Sequence, residues 1–99
     1  MQEITIDELK KRQAAHDEPH LLDVREPHER SEFNIGGTFI PLGDIMAMRL
    51  DDIDEWKDEE IVVYCRSGNR SGQACYVLEQ FGFKNVKNLK GGMLAWQGL

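Results

Sequence analysis

The sequence predicts an α/β domain built on a mostly parallel sheet, and three observations carry that prediction. Short apolar runs alternate with stretches of helical spacing along the whole chain. The strongest run, Ile61-Val62-Val63-Tyr64, is β-branched and aromatic with no polar alternation, as in a strand covered on both faces. The length of 99 residues, 40% hydrophobic and 30% charged, suits one globular domain spanning 1–99 with a modest core.

Each element has a local reason. Thr5-Ile6-Asp7-Glu8 reads as a capping box, so a helix with Ile6 and Leu9 inward runs to about Ala15. His20-Leu21-Leu22-Asp23-Val24 is a short strand. Arg25-Glu26-Pro27 ends it, and Pro27 opens the next helix. Gly36-Gly37 marks a turn, and Thr38-Phe39-Ile40 is a strand stopped by Pro41. Met46, Leu50 and Ile53 stand at i, i+4, i+7 and predict one helix face, with Met46 and Met48 as core or cleft lining. After the central strand, Ala74, Val77, Leu78 and Phe81 predict an amphipathic helix over 71–81, ended by Gly82. Val86-Lys87-Asn88-Leu89 is a last strand. Gly91-Gly92 then leads into a terminal helix carrying Trp96.

The central strand ends abruptly on Cys65, and Arg66-Ser67-Gly68-Asn69-Arg70 follow before Ser71 opens a helix. Ligands of parallel sheets bind beyond the carboxyl ends of the strands. A cysteine there faces a helix N-terminus, whose free N–H groups and positive dipole favour a thiolate. Arg66 and Arg70 add positive charge. Cys65 is therefore the candidate nucleophile. Cys75, inside the following helix, reads as a buried structural thiol. The two cysteines show no disulfide framework, so a reducing, cytoplasmic setting is expected.

The remaining signals exclude more than they suggest. A net charge of −6 argues against nucleic acid, while two arginines beside Cys65 suit a small anion. No stretch has the length of a membrane span, and the N-terminus lacks signal-peptide regions. His16 and His20 are separated by Pro19, which disfavours a helical metal pair, and no metal is expected. The acidic run from Asp51 to Glu60 lacks calcium-loop spacing. Nucleotide-binding glycine motifs are missing, so no cofactor is expected.

Three segments together resemble the rhodanese-like (sulfurtransferase) family over nearly the whole chain. They are Leu21-Leu22-Asp23-Val24-Arg25-Glu26-Pro27, the loop Val62–Ser71 around Cys65, and Gly91-Gly92-Met93-Leu94-Ala95-Trp96. The stretch Asn34-Ile35-Gly36-Gly37-Thr38-Phe39-Ile40-Pro41 departs from it. It has Asn for the usual His and Gly for the usual Pro, and it is one residue shorter. Asp23 and Arg25 are read as ties between loops.

The resemblance implies a three-layer fold with a sheet of about five strands. It also implies a covalent chemistry in which Cys65 takes the outer sulfur of thiosulfate or a persulfide and becomes a persulfide itself. A thiol, cyanide or a sulfur-acceptor protein then removes that sulfur. On this reading Arg66, Ser67, Gly68, Asn69 and Arg70 bind the donor, with loop amides holding negative charge. Two alternatives stay open. One is a relay or docking module serving a protein partner. The other is a Cys-dependent phosphatase or arsenate reductase, whose cradle usually has five residues between Cys and Arg, against four here.

Overall fold

The computed structural model describes residues 1–99. Five strands, β1 (Gln2–Ile4), β2 (His20–Asp23), β3 (Thr38–Phe39), β4 (Glu60–Tyr64) and β5 (Asn85–Leu89), form one sheet in the order β1-β5-β4-β2-β3. Every pairing is parallel, so the sheet is wholly rather than mostly parallel. Helices α1 (Ile6–Ala14), α2 (Pro27–Glu32), α3 (Leu42–Met46), α4 (Asn69–Gln80) and α5 (Gly92–Gln97) make the connections and cover the faces.

The central strand β4 shows why its sequence lacks alternation. Ile61 and Val63 face one core with Ile45 of α3 and Ala74 and Leu78 of α4. Val62 and Tyr64 face a second core with Leu9 of α1 and Met93 of α5. These four β4 side chains are fully buried, and only Glu60 at its start is not. Both faces are therefore dry, and each large aliphatic side chain there contributes ~1.5–3 kcal/mol.

Connections from β2 run outward to β3, and those from β4 run outward to β5. The chain thus diverges above the carboxyl ends of β2 and β4. A cleft opens at such a switch point without any special loop. The ends of these strands carry Arg25 and Cys65.

Charged side chains lock the β2 end. The Arg25 guanidinium donates to both Asp23 carboxylate oxygens at 2.9 Å and to the Phe33 carbonyl at 2.6 Å. Asp23 is wholly buried and Arg25 is 4% exposed, so the pair holds together because neither charge has water instead. Arg30 adds a second cation to Asp23 at 3.3 Å. The Tyr64 hydroxyl donates to the Gly36 carbonyl at 2.8 Å. The divergent segment closes its own turn. Asn34 Oδ1 accepts from the Gly36 N–H at 2.8 Å, and Gly36 and Gly37 take positive φ. A Cβ on Gly37 would sit 2.4 Å from the Leu21 carbonyl oxygen, so this turn lies directly on β2.

Three sequence expectations are corrected here. The helix face expected from Met46, Leu50 and Ile53 is interrupted. α3 ends at Met46, and residues Asp51–Trp56 form a 3₁₀ turn. Met48 stands at φ 62, with the Arg49 N–H bonded to Asp44 and its own N–H to Ile45. That is a Schellman stop built on a residue other than glycine. Ile45, Leu50 and Ile53 are buried, while Met46 and Met48 are 55% and 62% exposed and line neither core nor cleft. Strand β1 was not expected. Only Ile4 of its three residues is buried, so no periodicity marks it. The helix after Cys65 begins at Asn69, two residues earlier than expected, because Gly68 supplies the left-handed turn that starts it. His20 stacks on Trp56 at 3.9 Å and contacts Glu59 at 2.8 Å, which ties the 3₁₀ turn to β2.

Candidate active site

Cys65 follows the last residue of β4, and its sulfur is turned toward the start of α4. The Gly68 N–H donates to Cys65 Sγ at 3.1 Å and the Ser71 N–H at 3.4 Å. Ser71 Oγ lies 3.3 Å from the same sulfur. The first N–H groups of a helix have no partner in the helix itself, and here the sulfur supplies one. Gly68 makes this possible: at φ 107 its backbone turns the chain sharply enough to aim successive amides inward.

These contacts decide the state of the sulfur. Burial by itself pushes the Cys65 thiol up. The hydrogen bonds from the Ser71 side chain and from the backbone N–H groups of Ser71, Gly68 and Ser67 outweigh it, and the net shift is downward. Cys65 is only 1% exposed, so these donors act in a setting of low dielectric.

The loop is buttressed from below. The Met93 N–H donates to the Cys65 carbonyl at 2.9 Å and the Leu94 N–H to the Arg66 carbonyl at 2.9 Å. Both come from the first turn of α5. Gly92 permits this contact, because a Cβ there would lie 2.5 Å from the Cys65 carbonyl oxygen.

Among the loop residues expected from sequence, Arg66, Ser67 and Asn69 are exposed, while Gly68 and Arg70 are half-buried. The two arginines differ. Arg70 is held by Glu29 of α2 in a bidentate pair at 2.6 and 2.8 Å. That contact holds the Glu29 carboxyl down at about 2. Arg66 makes no ion pair and lines a cleft together with Arg25, Glu29, Glu32, Phe33 and Met93.

Two contacts at the site were missed in the sequence. Glu29 carries no local mark, being one of several charges on the polar helix α2. Asn88 of β5 is 5% exposed, accepts from the Ser71 hydroxyl at 2.5 Å and donates to the Gly68 carbonyl at 3.0 Å. Its signal was its position two residues from Val86, on the same buried face of β5.

A family model for the rhodanese-like domain matches residues 5–99. The chain belongs to the rhodanese-like domain family. YtwF of Bacillus subtilis is 42% identical over 99 residues, covering 99% of this chain and 92% of that protein. A protein of Allochromatium vinosum named sulfurtransferase is 38% identical over 94 residues, covering 95% and 86%. Among solved structures, a Staphylococcus saprophyticus protein superposes with a TM-score of 0.82 at 31% identity, covering 97% of this chain and 93% of that one. The rhodanese-like fold places the cysteine loop, the β2 end and the start of α5 around one cleft.

Proposed function

We propose that this domain, residues 1–99, is a rhodanese-type sulfurtransferase that works through a persulfide on Cys65. The observation that carries the reading is the set of donors converging on one buried sulfur: the N–H groups of Gly68 and Ser71 and the Ser71 hydroxyl, all within 3.4 Å. A persulfide anion carries its charge on the outer sulfur, and preorganised N–H donors stabilise such a charge without rearranging.

In the first half-reaction the Cys65 thiolate attacks the sulfane sulfur of a small anionic donor such as thiosulfate, or of a persulfide. The S–S bond of the donor breaks, and sulfite or a thiol leaves. In the second, a thiol, cyanide or the cysteine of an acceptor protein takes the outer sulfur and restores Cys65. This is ping-pong chemistry. Arg66 is the cation that meets the donor. Arg70 acts on the sulfur through its charge, which Glu29 offsets. Ser67, Gly68 and Asn69 shape the turn that presents the amides. Both cysteines are free thiols, which fits a reducing cytoplasmic setting, and no helix is long and apolar enough to cross a membrane.

The test is intact mass after exposure to thiosulfate. One added sulfur atom, removed by reductant and missing in Cys65→Ser, is the expected result. No adduct with thiosulfate or with an organic persulfide would overturn the reading.

A further inference from the structure

The charges around the cleft suit a donor of one negative charge better than a donor of two. Of the arginines near the loop, Arg25 is consumed by Asp23 and Arg70 by Glu29. Glu29 lines the cleft, and its partner Arg70 is close enough to Cys65 for their charges to interact. Arg66 is the one arginine at the cleft that makes no ion pair, and Glu32, also on the wall, is an unpaired carboxylate. The domain as a whole carries −6.

We propose that Glu29 is a specificity-determining residue, tuning the site toward singly charged sulfane-sulfur donors, organic persulfides and thiosulfonates, over the dianion thiosulfate. The proposal rests on the sulfur-transfer reading above and names the donor class for it. Charge balance makes the distinction concrete. Cys65–S⁻ with thiosulfate gives Cys65–S–S⁻ and sulfite dianion, so three negative charges share the cleft. Cys65–S⁻ with a thiosulfonate, RSO₂S⁻, gives Cys65–S–S⁻ and the sulfinate RSO₂⁻, so only two do. With an organic persulfide, Cys65–S⁻ and RSS⁻ give Cys65–S–S⁻ and the thiolate RS⁻, so again only two do.

A second free cation would favour the dianion most. Arg70 is in position to be that cation, and its bidentate contact with Glu29 withdraws it. Glu29 acts through Arg70 rather than by touching the donor. It is also held in place: its Oε1 accepts from the Glu26 N–H at 3.1 Å, so the carboxylate is fixed by the first turn of α2.

The experiment compares thiosulfate with benzenethiosulfonate by kcat/KM, using cyanide as acceptor, in the wild type, Glu29→Gln and Glu32→Gln. Glutamine at position 29 keeps an oxygen for the Glu26 N–H while freeing the charge of Arg70. The ratio of thiosulfate to thiosulfonate kcat/KM should rise about three- to tenfold in Glu29→Gln, because a unit charge near a partly shielded site changes anion attraction on that order. Glu32→Gln breaks no ion pair and is exposed, so it folds regardless. It should raise the ratio about twofold. Both gains should shrink in high salt. A ratio unchanged in Glu29→Gln overturns the proposal while leaving sulfur transfer intact, whatever Glu32→Gln does. If neither donor places sulfur on Cys65 in the wild type, the transfer reading itself falls and takes this proposal with it.

Discussion

Cys65 and Cys75 lie in the same apolar cluster, 1% and 0% exposed, and burial pushes both thiols up. Yet the net shift of Cys65 is downward, whereas Cys75 is pushed up to about 12. The difference is the supply of donors. Cys75 sits within α4, where each backbone N–H is already bonded four residues back. Nothing is left to meet a thiolate, and Glu79 repels one further. Cys65 faces the first turn of the same helix, where the N–H groups are free. Two equally buried sulfurs thus differ because one meets the end of a helix and the other its middle.

The largest break of this comparison is deletion of each sulfur. Cys65→Ser should lower sulfur transfer at least about a thousandfold, since the serine hydroxyl is a poor nucleophile for sulfane sulfur and no covalent route remains. Cys75→Ala should keep most turnover and lose ~1–2 kcal/mol of stability from a small cavity. Steady-state rates with denaturant melts check both. Equal loss of turnover in two folded variants would erase the distinction.

Labelling sharpens it at the level of the thiols. Iodoacetamide should modify Cys65 in the native protein well below the free-thiol range near 8.5. Cys75 should react only as fast as the fold opens, and so in step with unfolding. Peptide mapping after timed labelling at several pH values separates the two. Comparable native labelling of Cys75 would show that its burial is not maintained.

Much of this contrast was legible in the sequence. The strand that stops on Cys65, the glycine three residues on and the apolar stripe around Cys75 placed one thiol at a helix start and the other inside it. The central strand was legible too, because burial on both faces leaves no polar position. What was not legible depends on contacts between distant segments. Glu29 and Arg70 are 41 residues apart, and Ser71 and Asn88 are 17 apart. No local pattern announces such pairs. The break at Met48 was hidden because a Schellman stop usually advertises itself with glycine, and here a methionine takes the left-handed position. Strand β1 was hidden because its pairing with β5 is a property of the backbone alone.

Alkaline stability offers a subtler contrast. Cys75 keeps its proton in the folded protein up to about 12, whereas an unfolded cysteine loses it near 8.5. Its contribution is therefore complete below the unfolded value and declines as pH rises toward the folded one. The slope is at most about 1.4 kcal/mol per pH unit. Tyr64, held up at about 12 chiefly by burial, adds the same sign of effect only above the ordinary tyrosine value near 10. Between those two onsets, Cys75→Ala should flatten the fall of stability with pH, as followed by urea melts. An unchanged slope would mean that the buried thiol does not titrate as a thiol.

The smallest effect tests the donors one at a time. The Ser71 hydroxyl has a single hydrogen and two claimants, Asn88 Oδ1 at 2.5 Å and Cys65 Sγ at 3.3 Å. The Asn88 amide cannot simply turn away, because its nitrogen donates to the Gly68 carbonyl at 3.0 Å. While Cys65 is a thiol, its own hydrogen can go to Ser71 Oγ and the serine hydrogen to Asn88. Once the sulfur is ionised, the serine hydrogen is worth more on the sulfur, since bonds to charged groups are stronger. The gain is partly cancelled by the bond given up at Asn88. Removing the hydroxyl should therefore cost less than a full charged hydrogen bond. Ser71→Ala should raise the midpoint of the alkylation profile and slow labelling at neutral pH by about three- to tenfold. The N–H groups of Gly68 and Ser71 remain in that variant, so activity should be reduced rather than lost. Ser71→Thr, which keeps the hydroxyl, should recover most of the rate. A Ser71→Ala profile superimposable on the wild type would mean that the backbone donors alone hold the thiolate, and that the serine serves only Asn88.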